Sequence, residues 1–559
     1  MTRRLVILDA AGSDPAMGRA LGEQSLAAGA TPAIVDYYRA LPRSLILGAG
    51  GGNMDERVLV RALAPALDLL VRRLEARRPA ALRERTRAFI GAIGGDARDA
   101  RFVNVMDLFQ NLVGVAGRAG LLRHVRRWHV PAACSTLAVW GDATEGGRLL
   151  HGRNFDFPGI GVWDAQPTLA FCAPSDGLRY GYVGTLGADV PGVTAFNEEG
   201  ITVTAHTRLH RRVRFDGRTI VDLGHAIVRG ACSLDDAIRI AREAPIASSW
   251  GLCVSSARER RAIVLETHGD DLAVVHGDAR DHLTCTNRYR HPETQRGEVM
   301  LCAGWACSSD GREAVLTRGV QRRSAPLGQG CIARILASHE DPDVEGHWRA
   351  AGPVPAQACT VQSVVVDHDE GAIHLGVGPA PVSEGPWTSV PLRWGEGPHT
   401  LHVDAPALEV GSAAQLGAYR SFVEATRLAE IASPMAPIEA ALRRAEAQAP
   451  EDASYAFLLG GCAARAGRWD DALRHFEHAV GREPNAVVRA RMRLWAARVA
   501  EASGRPSRAS EHRRAIAALH DPRVAGVQRD AEEEGARPLS RGTLRRAKLA
   551  PEVLDVVVN

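Results

Sequence analysis

From about residue 130 to residue 380 the chain alternates short β-prone runs with glycine turns, and this texture constrains the fold more than any other feature. Runs at 135–140, 149–155, 168–173, 180–185, 193–196, 201–205, 251–255, 262–266 and 361–367 carry the β-branched and aromatic residues that suit a pleated surface. Two helical patterns interrupt them, 221–229 and 234–244, the second opened by Ser233 with Asp235 and Asp236 as an N-terminal signal. Antiparallel strands with helices on the outer faces, an α+β domain, follow from that order. Asn197 and Gly200 supply a hairpin turn between two of the runs.

The flanks read differently. Residues 1–133 are mixed and mostly helical, with Ser13 or Asp14 as an N-cap before Pro15 and with Pro65 expected to kink or restart the helix at 58–74. The glycine-rich stretch 45–53 lacks the third glycine of a dinucleotide loop, since Asn53 stands there, and no βαβ unit surrounds it; it reads as a turn. Residues 386–412, rich in Pro and Gly, read as a linker with one strand at 400–403. Beyond it, Gly460, Ala463, Gly467, Ala472, Phe476, Ala479 and Pro484 fall at tetratricopeptide spacings, and Pro450 precedes Pro484 by 34 residues. An all-α helical-repeat domain is expected over 413–525, with a tail at 526–559. It serves as a packing element or as a docking array for a protein partner.

Composition excludes more than it assigns. A net charge of +3 over 559 residues gives no basis for a nucleic-acid partner. The positive charge is almost all arginine, with Lys548 the only lysine. No run reaches the roughly 20 apolar residues of a membrane span. Ten cysteines without dense spacing do not form a disulfide framework, and with no secretory signal in the first residues the expected compartment is a reducing cytoplasm. Neither Cys302 with Cys307 nor His206 with His210 completes a ligand set, so no metal and no cofactor is expected.

Among the cysteines Cys134 stands out, because Ser135 and Thr136 open a strand behind it and a turn at 144–147 leads back to Arg153 and Asp156. The other nine read as small apolar fillers. Arg153 and Asp156 read either as an ion pair serving the thiol or as a surface pair at a strand end. No Cys/His pair accompanies the thiol, which disfavours a cysteine peptidase.

The ordered motifs Ala133-Cys-Ser-Thr, His151-Gly-Arg-Asn-Phe-Asp-Phe, Phe196-Asn-Glu-Glu-Gly-Ile, Leu265-Glu-Thr and Cys285-Thr-Asn-Arg-Tyr resemble the isopenicillin N acyltransferase-like branch of the N-terminal nucleophile (Ntn) hydrolases. This is the acyl-coenzyme A:6-aminopenicillanic acid acyltransferase type, related to the choloylglycine hydrolases and acid ceramidase. Gly12, Gly18 and Gly22 resemble the start of that family's pro-segment and 362–367 its closing strand, so the resemblance spans roughly residues 5–385. Ala133 stands where glycine is common in penicillin-processing members.

The resemblance implies an αββα sandwich over 134–385 and a self-cleaved pro-segment over 1–133, cut between Ala133 and Cys134. It implies that Cys134 is the nucleophile with its own α-amine as base, and that Arg153 and Asp156 hold the amine and thiol. Asn287 would donate to the oxyanion, with a second donor from the Asn197 turn. Arg312 would be the late active-site arginine, with Arg288 and Arg318 as competitors. The implied substrate is an N-acyl amide or acyl thioester, hydrolysed or transferred. The contrasting reading is a silent Ntn scaffold carrying an interaction domain.

Overall fold

The computed structural model describes residues 3–30, 33–47, 54–121, 133–277 and 280–558. The glycines and Asn53 of the 45–53 stretch, from 48 onward, and the residues just before Ala133 lie outside them.

Helices of eight residues or more are numbered in chain order. In the first part these are α1 (Asp14–Ala27), α2 (Ala33–Leu47), α3 (Met54–Arg77), α4 (Ala80–Ala92), α5 (Val105–Arg118), α6 (Ile220–Gly230), α7 (Leu234–Arg242), α8 (Ala303–Gln321) and α9 (Gln329–Leu336). The strands are β1 (Arg3–Gly12), β2 (Ser135–Val139), β3 (Leu150–Asp156), β4 (Pro167–Pro174), β5 (Tyr180–Thr185), β6 (Thr194–Asn197), β7 (Ile201–Thr207), β8 (Ser249–Ser256), β9 (Arg261–His268), β10 (Asp271–His276) and β11 (His282–Cys285). They continue with β12 (Thr360–Asp367), β13 (Ala372–Gly376), β14 (Trp387–Pro391) and β15 (His399–Val403).

Two sheets form. One has nine strands in the order β10-β9-β8-β7-β6-β5-β4-β1-β15, the other six in the order β11-β2-β3-β12-β13-β14. Their inner faces meet through Leu5, Ile7, Phe171 and Phe196 on one side and Val364, Val366, Ile373 and Leu375 on the other. A second patch of the same interface joins Leu149 and Cys285 to Cys253 and Val264. The outer face of the larger sheet is covered by α1, α2, α6 and α7, among others, through Val6, Leu21, Leu41, Ile227 and Ile240. The smaller sheet is covered by α8 and α9 through Leu316, Val320, Ile332 and Leu336. The layer order is helix, sheet, sheet, helix: the expected αββα sandwich followed by helices.

Alternation decides which side chain goes where. In β1 Leu5 and Ile7 face the second sheet while Val6 and Leu8 face the helices, so an apolar run too short to be a signal segment is a strand buried on both faces. β1 pairs with β4 in parallel and with β15 antiparallel. The mostly helical segment 1–133 opens with an interior strand. Two expectations are corrected here. The stretch 386–412 is not a linker, because β14 and β15 close one edge of each sheet; Pro391 ends β14, and Gly395, Gly397 and Pro398 lie between the two strands. Pro65 does not restart its helix either: it lies inside the continuous α3.

The last part contains α10 (Ala413–Glu430), α11 (Met435–Gln448), α12 (Ala453–Arg465), α13 (Trp469–Arg482), α14 (Ala486–Ala502), α15 (Pro506–Ala517) and α16 (Ala525–Ala536), then a small hairpin of β16 (Lys548–Ala550) and β17 (Asp555–Val557). Successive helices pack as hairpins around Phe422, Phe457, Phe476 and Trp495, with Leu549 and Val556 of the hairpin in the same core. The helices dock on the sandwich through polar contacts as well. Arg349 donates to both carboxylate oxygens of Glu483 at 2.7 Å and to Asp341 at 2.9 Å, with all three side chains buried. No helix among the described residues is long and apolar enough to cross a membrane.

Candidate active site

The site lies at one end of the six-stranded sheet. Thr136 is directly opposite Arg153 across β2 and β3, Cys285 is opposite Thr136 across β11, and Thr360 is opposite Asp156 across β12. The residues just before β2 and just after β11 therefore emerge beside the end of β3. Cys134, Asp156, Asn287 and Thr360 share that end although they are far apart in the chain.

Cys134 is buried at 2% exposure. Its Sγ accepts from Nη2 of Arg153 at 3.5 Å and lies 3.9 Å from the carbonyl oxygen of Asp156. Nη2 of Arg153 also donates to the Ala205 carbonyl at 2.7 Å, and Nη1 donates to Nε2 of His206 at 3.3 Å. Burial raises the thiol pKa, the positive charge of Arg153 opposes that rise, and Asp156 adds to it. The thiol as placed, with the Ala133–Cys134 peptide intact, is predominantly protonated at neutral pH.

Arg153 and Asp156 do not form the expected ion pair. Three residues apart on a strand, they project to opposite faces. Arg153 reaches the larger sheet, whereas Oδ1 of Asp156 accepts from the Thr360 hydroxyl at 2.6 Å and its Oδ2 is buried with no hydrogen-bond partner among the described residues. Burial raises the Asp156 carboxyl to about 7, against the lowering effects of Arg312, Thr360 and Arg153.

Arg312, on α8, is the late arginine that reaches this end of the sheet. Its Nη1 donates to the Cys134 carbonyl at 2.6 Å and to Oγ of Ser135 at 3.0 Å, and its Nη2 donates to Oδ1 of Asn287 at 2.8 Å. The competing arginines are engaged elsewhere. Arg288 pairs with Glu298 and Asp310, and Arg318 donates to the carbonyls of Asp341 and Pro342. Asn287 donates one amide hydrogen to the Thr207 carbonyl at 3.0 Å, and its backbone N–H is held by Ser309. Of the predicted site residues, Cys134, Arg153, Asp156, Asn287 and Arg312 converge.

Asn197 does not join them. Its amide donates to the carbonyls of Val228 and Ala231 at 3.0 and 2.9 Å, and its carbonyl oxygen accepts from the backbone of Glu199 and Ile201. The side chain ties the β6–β7 turn to the end of α6 and has no hydrogen left for an oxyanion. A turn-forming asparagine and a substrate-facing one look alike in sequence; only the neighbouring helix end separates them.

Other groups carry no sequence signal. His206, set aside as half of an incomplete metal pair, bonds Thr136 at 2.9 Å beside Arg153. Burial and the nearby arginines hold it well below the usual imidazole range, so it is neutral. Thr136 continues through Thr204 to His151 and Ser255, a buried hydrogen-bond chain between the two sheets. The cysteine fillers hold for Cys172, Cys253, Cys285, Cys359 and Cys462, while Cys232 is exposed. Among the described residues one carboxylate–imidazole cluster, Asp341, His347 and Glu483, has metal-ligand spacing. Arg349 already neutralises its two carboxylates in the docking contact of the helices.

Cys134 opens onto an apolar cavity of about 60 Å3 lined by Tyr37, Met106, Phe157, Trp163, Ala205 and Trp250, among others. Helices before the cysteine and strands after it contribute walls, so both sides of position 133 build the cavity.

The two-sheet αββα layering, with a cysteine on an apolar cavity, resembles an Ntn-type fold. Residues 144–301 match the family model described as acyl-coenzyme A:6-aminopenicillanic acid acyl-transferase. Among solved structures, a Caenorhabditis elegans N-acylethanolamine-hydrolyzing acid amidase ortholog is similar at 12% identity and a TM-score of 0.31, covering 42% of this chain and 92% of its own. No curated protein matches the chain.

Proposed function

We propose that this protein is a self-processing Ntn enzyme in which Cys134 accepts an acyl group from an N-acyl amide or acyl thioester and passes it to water or an amine. The observation that carries this reading is the placement of Cys134: its sulfur is held by Arg153, its carbonyl by Arg312, and its open side faces an apolar cavity.

In processing, Sγ of Cys134 attacks the Ala133 carbonyl carbon and the Ala133–Cys134 amide bond breaks, leaving a thioester at sulfur and a free α-amine. Water then cleaves the thioester, giving the Ala133 carboxylate and an N-terminal cysteine with a free thiol. The amine, with an unperturbed pKa near 8, takes the thiol proton when a substrate carbonyl is attacked and returns it to the leaving amine. Asp156 offers its unpartnered Oδ2 to the resulting ammonium. Asn287, fixed by Arg312, aims its amide at the oxyanion, a contribution of roughly 3 kcal/mol for donors of this kind. The apolar cavity receives the carbonyl end of the acyl chain. Residues 1–133 then form a pro-segment that stays bound, since β1 and the helices after it are part of the sandwich and of the cavity wall.

We read α10 to α15 as tetratricopeptide-like hairpins. Gly460 supports this: a Cβ there would lie 2.8 Å from the Phe476 ring, the small-on-large packing that the repeat spacing supplies.

Mass spectrometry of the purified protein tests the reading. Two fragments separating at Ala133–Cys134 are expected, and Cys134→Ala abolishes both cleavage and turnover of N-acyl amides. An active chain that remains intact at 59.9 kDa overturns self-processing.

A further inference from the structure

Glu430 is the last residue of α10 and is 4% exposed. A carboxylate at that end of a helix faces the negative pole of the helix dipole, and its burial costs more still. Burial raises the Glu430 carboxyl to about 8, and contacts to a distant segment oppose that rise. Oε2 accepts from the backbone N–H of Gly159 at 2.9 Å and of Ile160 at 3.0 Å, across 270 residues of sequence.

Those two N–H groups belong to the turn that leaves β3 beside Cys134. The same turn is held from two other directions. Tyr37 of α2 donates to the Pro158 carbonyl, and Asp164 bridges the backbones of Gly161 and Ala380 at 2.6 and 2.8 Å. Val423 of α10 packs against the small group of Ile160, Cys359 and Ala380.

What the turn carries matters for the cavity. Phe157 precedes it and Trp163 follows it, and their rings meet edge to face at 5.4 Å in the cavity wall. The backbone N–H groups of Val162 and Trp163 both donate to the Gly159 carbonyl, at 2.9 and 3.0 Å. A Cβ on Gly159, at φ +133°, would come within 2.6 Å of the Trp163 ring. The position of Gly159 therefore fixes the position of Trp163, and Glu430 fixes Gly159.

We propose that Glu430 is a positioning residue of the acyl cavity: through the Gly159 and Ile160 amides the helical domain holds the Phe157–Trp163 wall and sets which acyl chains Cys134 accepts. This rests on the reading of Cys134 as the acyl-accepting nucleophile. It makes the helices a support of the first domain's site rather than a separate docking array.

Two full-length variants test it. Glu430→Met removes the acceptor and the buried acid together while keeping similar length, and Glu430→Gln keeps a carbonyl oxygen for the two N–H groups. Hydrogen exchange of a peptide covering 157–164 should speed up about tenfold or more in Glu430→Met, as expected when the shared acceptor of two N–H groups is lost, and stay near wild type in Glu430→Gln. Across N-acyl amides from acetyl to palmitoyl, Glu430→Met should raise KM several-fold for long chains and change kcat on the acetyl substrate by less than about twofold. A folded Glu430→Met protein with wild-type exchange at 157–164, or with an unshifted acyl-length profile, overturns the proposal. A wild-type protein that turns over no member of the series counts against the reading of Cys134 instead, and exchange then still decides whether Glu430 holds the turn.

Discussion

Arg312 donates to the carbonyl oxygen of Cys134 at 2.6 Å from a helix on the outer face of the six-stranded sheet. It holds the Cys134 backbone and, through its other amino group, the amide of Asn287. One buried cation thus sets the relative position of two groups that the proposed chemistry needs each about 3 Å from the atoms of a reacting carbonyl.

Arg312→Met should therefore impair the reaction more than the fold. Turnover and processing are expected to fall by about 100-fold or more, the scale of a mispositioned oxyanion donor. The partners left behind, Asn287, Ser135 and the Cys134 carbonyl, are buried, so a loss of about 1–3 kcal/mol is also expected. Thermal unfolding together with mass spectrometry separates the two effects.

The two asparagines should behave oppositely. Asn287→Ala is expected to lower kcat by about 10²–10³-fold. Asn197→Ala removes a side chain that pairs four backbone groups and is expected to cost about 2 kcal/mol or more, with kcat within about twofold. Denaturant melts and initial rates on the same preparations check both.

Asp156 gives a pH prediction with a definite sign. Its folded pKa is raised from 3.8 to about 7, so the unfolded chain ionises first. Its contribution is intact in acid, below about pH 4, and is lost as the pH rises through 7. Replacement by asparagine should stabilise the protein relative to wild type more at pH 8 than at pH 4. The proposed role also requires the ionised form, so Asp156→Asn should turn over substrate more slowly than wild type across the pH range tested. Melting temperatures and rates at several pH values decide.

Filling the cavity should shorten the accepted acyl chain. Val193→Trp projects a ring into the space beside Cys134. It is expected to abolish turnover of long acyl amides while sparing acetyl substrates, at a packing cost of about 1–3 kcal/mol. Relative kcat/KM along an acyl-length series is the measurement.

Arg349 anchors the helices to the sandwich. Arg349→Leu leaves Glu483 and Asp341 buried without their cation, and a loss of about 3–5 kcal/mol is expected. Denaturant unfolding read by intrinsic tryptophan fluorescence checks it.

The sequence by itself determined the strands from β2 to β9 and β12, the turn at Gly200 and the helical hairpins after residue 413. These follow from local rules: alternation, turn chemistry and helical spacing act within a dozen residues. It also named Arg153, Asp156, Asn287 and Arg312, but only the fold brought them to one end of one sheet, because strand pairing aligns positions that are far apart in the chain. Tertiary structure also decided against the chain's surface texture in several places. Residues 3–12 became an interior strand, a Pro- and Gly-rich stretch supplied two sheet edges, and Asn197 became a brace for a helix end. Strand period placed Arg153 and Asp156 on opposite faces of β3. The link from Glu430 to Gly159 was invisible beforehand, since no local pattern marks which buried carboxylate will meet which pair of backbone amides 270 residues away.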